Sequence, residues 1–219
     1  IMMWLAIHHH MLQERAGSIC PIGRPEMNKR HIEVLSSPRW AEMLERDLLP
    51  WVASVADLGD DVLEVGPGPG LTTDLLRKRT ARLTAMEVDQ ALAEQLARRL
   101  AGTNVEVVIG NAASTDFPDS RFSAAACFAV LHHVESAGVQ DQVFAELLRV
   151  LRPGGALVGS DGYDNEGTRQ AHIGDQFVPL APETLPERLA AIGFSDVTVD
   201  RGDYDFRFYA RKPGTATAT

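Results

Sequence analysis

The sequence is poor in cysteine and in basic charge, and each shortage excludes a class of protein. Only two of its 219 residues are cysteines, Cys20 and Cys127, and neither lies at a Cys/His metal-ligand spacing. This excludes a disulfide scaffold or a zinc finger, predicts no metal site and fits a reducing cytoplasm. The 21 Lys and Arg residues against 30 Asp and Glu residues give a net charge of −9. Because nucleic-acid affinity depends on neutralising phosphates, we expect no nucleic-acid partner.

Long apolar runs are also absent, since none approaches the roughly 20 residues that span a bilayer. We therefore expect no membrane partner and a cytoplasmic location. The composition, 45% hydrophobic and 23% charged, is that of a globular protein. The length predicts one domain, placed at residues 27–212. Residues 1–26 lack helix or strand periodicity and are predicted to be a loose extension, and the polar residues 213–219 to be a disordered tail. The sequence does not indicate an oligomeric state.

From residue 37 onward, short apolar runs alternate with amphipathic helical patterns. Ser37 followed by Pro38 is typical of a helix start. Strands are predicted at residues 62–65, 83–88, 105–109, 122–128, 156–160, 197–199 and 206–210. Such alternation predicts an α/β fold, a doubly wound and mostly parallel sheet with ligands bound beyond the carboxyl ends of its strands. Residues 161–182 have no predicted element and are expected to form a lid or binding loop.

A glycine-rich turn follows the first predicted strand and suggests a ligand site. The turn consists of Gly66, Pro67, Gly68, Pro69 and Gly70. Glycines at this point let the backbone approach a ligand closely. A dinucleotide fingerprint would have its third glycine at position 71, which is leucine. Glu64, just before the turn, would repel a pyrophosphate but accept hydrogen bonds from a ligand ammonium group, so a dinucleotide is disfavoured.

Glu87 ends the next predicted strand, 21 residues after Gly66. A carboxylate at this distance is typical of a ribose-binding acid, because it accepts hydrogen bonds from two vicinal hydroxyls at once. Two alternatives stay open: Glu87 is a solvated strand end, or Asp89 is the ribose acid. Asp89 fits better as the N-cap of the following helix.

Five motifs in order resemble those of class I S-adenosylmethionine-dependent methyltransferases, of the small-molecule kind known as methyltransferase type 11. LEVGPGPG resembles the first motif, LTAMEVDQ the second, IGNAASTDFPDSRF the third, and FAVLHHV and LLRVLRPGGAL the fourth and fifth. The resemblance implies a Rossmann-like sheet of seven strands with the last antiparallel. It also implies S-adenosylmethionine as cofactor, S-adenosylhomocysteine as product, and methyl transfer by direct displacement.

The predicted cofactor-binding residues combine the glycine turn and its acids with positions that the resemblance implies. Val88 is expected to pack near the adenine. Asn111 stands where the family usually has Asp, and its side-chain carbonyl can still accept from the adenine amino group, with the Ala112 N–H reaching a ring nitrogen. The complete set is Glu64, Gly66, Pro67, Gly68, Gly70, Glu87, Val88, Asn111, Ala112 and Phe128.

The candidate catalytic residues are His132 and His133, which follow the fourth predicted strand. No nucleophile triad is found, as expected for a displacement in which the protein mainly aligns the reactants. Either histidine could deprotonate an acceptor hydroxyl; alternatively, one bonds the backbone and the other is solvated. His172 and Asp175 could supplement this pair. Candidates for lining an apolar acceptor site are Trp40, Trp51, Tyr163 and Phe177.

The sequence favours a methyltransferase acting on a small-molecule acceptor. The absence of a D/N-P-P-Y pattern argues against amides and exocyclic adenine amines as acceptors. An alternative is an S-adenosylmethionine-binding protein without transferase activity, acting as a regulator or assembly partner. An NAD-type oxidoreductase is disfavoured by Glu64 and Leu71. The sequence does not distinguish O-, N- and C-methylation.

Overall fold

The computed structural model describes residues 29–214, and the predictions for residues 1–26 and 215–219 lie outside this part. Its sheet has seven strands in the order β3-β2-β1-β4-β5-β7-β6. β7 runs antiparallel to both of its neighbours, and the other pairs are parallel. This confirms the predicted α/β architecture and its antiparallel last strand. The strands are β1 Asp61–Val65, β2 Arg82–Glu87, β3 Val105–Ile109, β4 Phe122–Phe128, β5 Leu151–Gly162, β6 Ser195–Arg201 and β7 Asp205–Arg211.

The helices cover both faces of the sheet. A core cluster on one face includes Phe144 and Leu189, and the cluster on the other includes Leu44 and Val52. Among the described helices, none is long and apolar enough to cross a membrane. The α-helices are α1 Lys29–Leu35, α2 Pro38–Met43, α3 Leu49–Val55, α4 Leu71–Leu76, α5 Gln90–Arg99, α6 Ala137–Val150, α7 Glu166–Ala171 and α8 Leu185–Ile192; Leu44–Leu48 is a π-helix and Leu131–His133 a 3₁₀-helix.

The strand order reverses between β1 and β4, and this reversal places the site. The chain passes from β1 outward through β2 to β3, then returns to pair β4 with the other side of β1. At such a switch point the connections leave in opposite directions and open a crevice beyond the carboxyl ends of the strands. The glycine turn follows β1, and the 3₁₀-helix follows β4. Both therefore lie at the mouth of this crevice.

The helical region after Ser37 begins as predicted, and its backbone changes just before Pro50. The Ser37 hydroxyl accepts a hydrogen bond from the Trp40 N–H (3.2 Å), which confirms the predicted N-cap. Pro50 cannot donate a backbone hydrogen bond and would clash with a carbonyl of the preceding α-turn. The backbone widens into the π-helix just before Pro50, which then occupies the first turn of α3.

The prediction of no secondary structure over residues 161–182 was wrong for its first half. β5 continues to Gly162, and α7 follows after three residues. Asn165 and Thr168 form a capping box, in which the side chain of each accepts the backbone N–H of the other (3.1 and 3.0 Å). The helix is only six residues long, too short for an apolar period, and threonine replaces the Glu or Gln usual in this motif. Both features concealed it in the sequence.

Candidate cofactor site and histidine cluster

A cavity of about 400 Å³ lies at the switch point, within the size range of ligand sites. Three residues of the predicted site, Glu64, Gly70 and His132, are not part of its wall. The predicted residues that line it are Gly66, Pro67, Gly68, Glu87, Val88, Asn111, Ala112, Phe128 and His133.

The glycines of the turn have different roles. All three have positive φ angles, but a Cβ on Gly68 (φ +52°) would meet no protein atom within 4 Å. A Cβ on Gly66 would lie 2.1 Å from Val130 Cγ2, and one on Gly70 would lie 2.3 Å from Leu96 Cδ1. Gly66 and Gly70 are therefore required for packing. Gly68 leaves its backbone open to the cavity, as expected where a ligand approaches the chain.

Glu87 joins the glycine turn to the end of β2. Its Oε2 accepts the Gly68 N–H (3.0 Å), and its Oε1 accepts the N–H groups of Val88 and Asp89 (2.9 and 3.0 Å). Burial raises the pKa of the Glu87 carboxyl, and these backbone hydrogen bonds oppose the rise. The Oε1 atom thus already accepts two hydrogen bonds, whereas Oε2 accepts one and has further acceptor capacity, through which Glu87 can still bind a ligand hydroxyl. The role of Glu87 as a ribose acid stays a prediction, and its role in shaping the turn was not predicted from the sequence.

Glu64 lies buried beside the turn instead of facing the cavity. Its Oε1 accepts a hydrogen bond from the hydroxyl of Thr72, and Thr72 itself lines the cavity. Its Oε2 is buried and has no hydrogen-bond partner among the described residues. Burial raises the pKa of Glu64 to about 7. Glu64 can therefore act on a ligand through Thr72 and offers unused acceptor capacity nearby.

The predicted adenine end of the cavity combines apolar surface with a turn. The Val88 side chain is 52% exposed, an unusual state for valine that leaves its apolar surface available to a ligand. Phe128 and Ala112 add further wall. The Asn111 Oδ1 accepts the Ala113 N–H (3.0 Å), so the atom predicted to receive an adenine amino group already shapes the local turn. Its second lone pair remains available.

Of the four aromatic residues predicted to line an acceptor site, only Trp40 lines the cavity. The Trp51 Nε1 donates to Asp200 (2.7 Å). The Tyr163 hydroxyl donates to the Gly202 carbonyl (3.0 Å). Phe177 stacks on His172 with ring centroids 4.5 Å apart.

Polar residues that the sequence analysis did not identify complete the wall around His133. These residues belong to no sequence motif. The only signal that could have identified them is their position in the chain, after the fourth strand or near α7. These residues are Glu135, Gln142 and Gln176, and the structure adds Asp175, which was predicted as a possible supplement.

Three histidines gather beside this end of the cavity. The ring centroids of His132 and His133 are 4.1 Å apart, and that of His172 lies 4.8 and 5.2 Å from them. The His132 Nδ1 pairs with the carboxylate of Asp161 at the end of β5. His132 and His172 are buried, and His133 is half-buried. Of the two predicted catalytic histidines, only His133 lines the cavity.

Residues 63–159 match the family of methyltransferase domains. A Pyrobaculum aerophilum protein named probable ribosomal RNA small subunit methyltransferase A is 40% identical over 86 residues, which cover 38% of this chain and 37% of the relative. The fold resembles that of a SAM-dependent methyltransferase from Aquifex aeolicus, with a TM-score of 0.67 at 21% identity over 85% of this chain and 99% of the other. Residues 63–159 therefore form a methyltransferase domain, and the chain has the fold of class I methyltransferases.

The structure of phosphoethanolamine N-methyltransferase 2 from Haemonchus contortus, in complex with phosphomonomethylethanolamine and S-adenosylhomocysteine, also shares the fold of this methyltransferase domain. Its TM-score is 0.64 at 14% identity, over 77% of this chain and 53% of the other. These similarities confirm the predicted family, fold and S-adenosylmethionine cofactor. This chain spans less than half the length of the relatives named for ribosomal RNA methylation.

The predicted partners, a small-molecule acceptor and no nucleic acid, are contradicted by the relatives of this methyltransferase domain. Several of them are named as small subunit ribosomal RNA methyltransferases. The prediction relied on the net charge of −9, which averages over the whole chain. Binding of a charged partner depends instead on the local distribution of charge around a site. The cytoplasmic location stays a prediction.

Proposed function

We propose that this chain transfers a methyl group from S-adenosylmethionine to an acceptor held at the His133 end of the cavity. The observation that carries this proposal is the hydrogen bond between the Gly68 N–H and the Glu87 carboxylate (3.0 Å). It joins an open backbone and a ribose-type acid on one cavity wall, where a nucleoside can contact both. The family match over residues 63–159 supports the same function.

The residues around the cavity fit this cofactor. The bound sulfonium supplies an activated methyl group, so no covalent intermediate with the protein is needed. The Oε2 of Glu87 would accept a hydrogen bond from a ribose hydroxyl, and the exposed Val88 would cover an apolar face of the base. Thr72, backed by the carboxyl of Glu64, supplies polar contacts for the amino-acid part. The remaining task of the protein is to align the acceptor with the methyl group.

We infer a nucleic-acid base as the acceptor, on the basis of the names of the relatives. Glu135, Gln142 and Gln176 line the same cavity as the half-buried His133, and the Gln176 carbonyl contacts the His133 Nδ1 (3.2 Å). Carboxylates accept hydrogen bonds from base amino groups, and amides both donate and accept. The base-catalyst role of His132 and His133 stays a prediction.

The proposal is tested with methyl-labelled S-adenosylmethionine and deproteinised small-subunit ribosomal RNA. We expect label in the RNA with the natural chain, and loss of both binding and labelling in Glu87→Ala. Glu94→Gln, an exposed carboxylate change on α5, is the control and should behave like the natural chain.

Three outcomes would contradict parts of the proposal. Label in a fraction other than RNA would overturn the acceptor and leave the transferase standing. Tight cofactor binding without transfer to any fraction would favour the alternative of a binding protein. Absence of cofactor binding would overturn the proposed function itself.

A further inference from the structure

We propose that His132, His133 and His172 form a binding site for a divalent transition-metal ion of the zinc type. One nitrogen from each side chain lies within 4.8 Å of the other two. The three residues come from the 3₁₀-helix after β4 and from the C-terminal end of α7, which are 39 positions apart in the chain. This inference is independent of the proposed methyl transfer.

The outward contacts of the rings determine which nitrogen can bind a metal. The His133 Nδ1 contacts the Gln176 carbonyl (3.2 Å), and the His172 Nδ1 contacts the Thr168 carbonyl (2.6 Å). A carbonyl oxygen can only accept, so each Nδ1 carries the proton. The lone pair of each neutral ring is then on Nε2. This is the tautomer found where histidine binds a metal through Nε2 and is oriented through Nδ1.

Asp161 gives His132 the corresponding outer partner. Its Oδ1 contacts the His132 Nδ1 and also accepts the Gly162 N–H (2.8 Å). A carboxylate behind a metal-binding histidine fixes the ring orientation and increases the basicity of the ligating nitrogen. Thus each of the three rings is held from outside by an oxygen acceptor. The positions of these acceptors are set by β5, α7 and the loop after α7.

The charge of the site also favours a cation. Asp161 is buried, with 2% of its surface exposed, and a buried carboxylate is stabilised by nearby positive charge. With neutral histidines, a divalent ion at the Nε2 atoms would supply that charge through His132. Imidazole ligands suit zinc, copper, iron and nickel and do not suit magnesium or calcium.

The cluster needs only a small adjustment to bind such an ion. In a tetrahedral zinc site with Zn–N bonds of about 2.0–2.1 Å, ligating nitrogens lie about 3.3 Å apart. The set of nitrogens that lies within 4.8 Å, one from each ring, would therefore have to close by at most about 1.5 Å. His172 caps the short helix α7, and Phe177 packs against its ring. A small shift of His172 and the residues after it toward the 3₁₀-helix would complete the site. It would also stabilise the part of the cavity wall formed by Asp175 and Gln176.

The proposal has a defined chemical consequence for His133. When its Nε2 binds a metal, that lone pair cannot accept a proton, so His133 cannot also be a general base in the metal-loaded protein. The competing explanation of the cluster is packing alone, since Phe177 stacks on His172 and contacts His132 at a centroid distance of 5.6 Å. Direct measurement of metal binding separates the two explanations.

The test is a zinc titration of the full-length chain by calorimetry, repeated with cobalt to record its visible absorption. All proteins carry alanines in place of His8, His9 and His10, because that run could bind metal by itself. We expect one zinc ion per chain. His172→Ala should weaken binding by at least about 100-fold, and Asp161→Asn by about 10–100-fold, the usual effect of losing an outer partner. Gln170→Ala, an exposed change in α7, should leave binding unchanged.

S-adenosylhomocysteine binding and a cooperative thermal transition show that each variant is folded. If His172→Ala does not fold, the near-isosteric Asp161→Asn still tests the site. Absence of zinc binding in the background protein would overturn the proposal, as would zinc affinities in His172→Ala and Asp161→Asn that both equal the affinity of the background protein. Neither result bears on methyl transfer, and failure of methyl transfer leaves the zinc result intact.

Discussion

Replacing Gly68 with alanine tests whether this glycine is needed so that a ligand can approach the backbone, or only because of its positive φ angle. The added methyl would meet no protein atom within 4 Å, and because Gly68 lines the cavity, the methyl would take up space next to the ligand site. The backbone N–H that donates to Glu87 is retained in the variant. Two costs remain: the positive φ of +52°, and the loss of space for a ligand.

Gly102 provides a matched control. It has a φ of +78°, and a Cβ there would also meet nothing within 4 Å, but it is exposed between α5 and β3, away from the cavity. An L-residue in this backbone region costs about 1–2 kcal/mol. At about 2–4 °C per kcal/mol for a chain of this size, we expect both Gly68→Ala and Gly102→Ala to lower the Tm by about 2–8 °C.

The two variants should differ in cofactor affinity. A methyl group forced into an occupied space costs about 1–3 kcal/mol. For Gly68→Ala this corresponds to an S-adenosylmethionine Kd raised by about 5- to 150-fold, whereas Gly102→Ala should bind normally. Calorimetry measures the Kd, and differential scanning fluorimetry measures the Tm. Unchanged affinity in Gly68→Ala, or an equal loss in both variants, would refute this placement of the cofactor.

Three further predictions concern residues in this wall or buried beside it. Glu87→Ala should raise the S-adenosylmethionine Kd by about 10–150-fold, because hydrogen bonds to a charged group contribute about 1.5–3 kcal/mol. Calorimetry measures the Kd, with Glu94→Gln as the control, and an unchanged Kd in Glu87→Ala would contradict the prediction. Glu64 has a pKa of about 7 when folded, above its usual 4.5, so its contribution to stability is complete below about pH 4.5 and is lost as the pH rises through 7. Glu64→Gln should therefore increase the free energy of unfolding of the ligand-free protein at pH 8 by up to about 3 kcal/mol, measured by urea unfolding. If the variant gained no more stability over the natural chain at pH 8 than at pH 5, Glu64 would not be a buried charge at pH 8. Gly66→Ala should lower the Tm more than Gly68→Ala does, because its Cβ would overlap Val130, and an equal loss in thermal scans would contradict this packing.

The sequence determined the fold and identified the glycine turn and Glu87, which line the cavity, because their signals are local. Strand and helix periods lie within each segment, so β3 and β4 have their predicted bounds. Ser37 and Asp89 cap helices as predicted, since a cap depends only on the next three residues. The glycine turn and Glu87 have a fixed spacing that follows from the strand-turn-helix unit.

Only the tertiary structure decided which side chains share a surface. The sequence gives no sign that the Glu87 carboxylate binds the Gly68 N–H, because this contact depends on the pairing of β1 with β2. His172 was predicted as a possible supplement to His132 and His133, but only the structure shows that the three rings come together, since α7 was concealed and the distance in the chain is long. Residues that are adjacent in the sequence can be identified as a motif, whereas contacts between residues far apart in the chain depend on how the strands and helices pack.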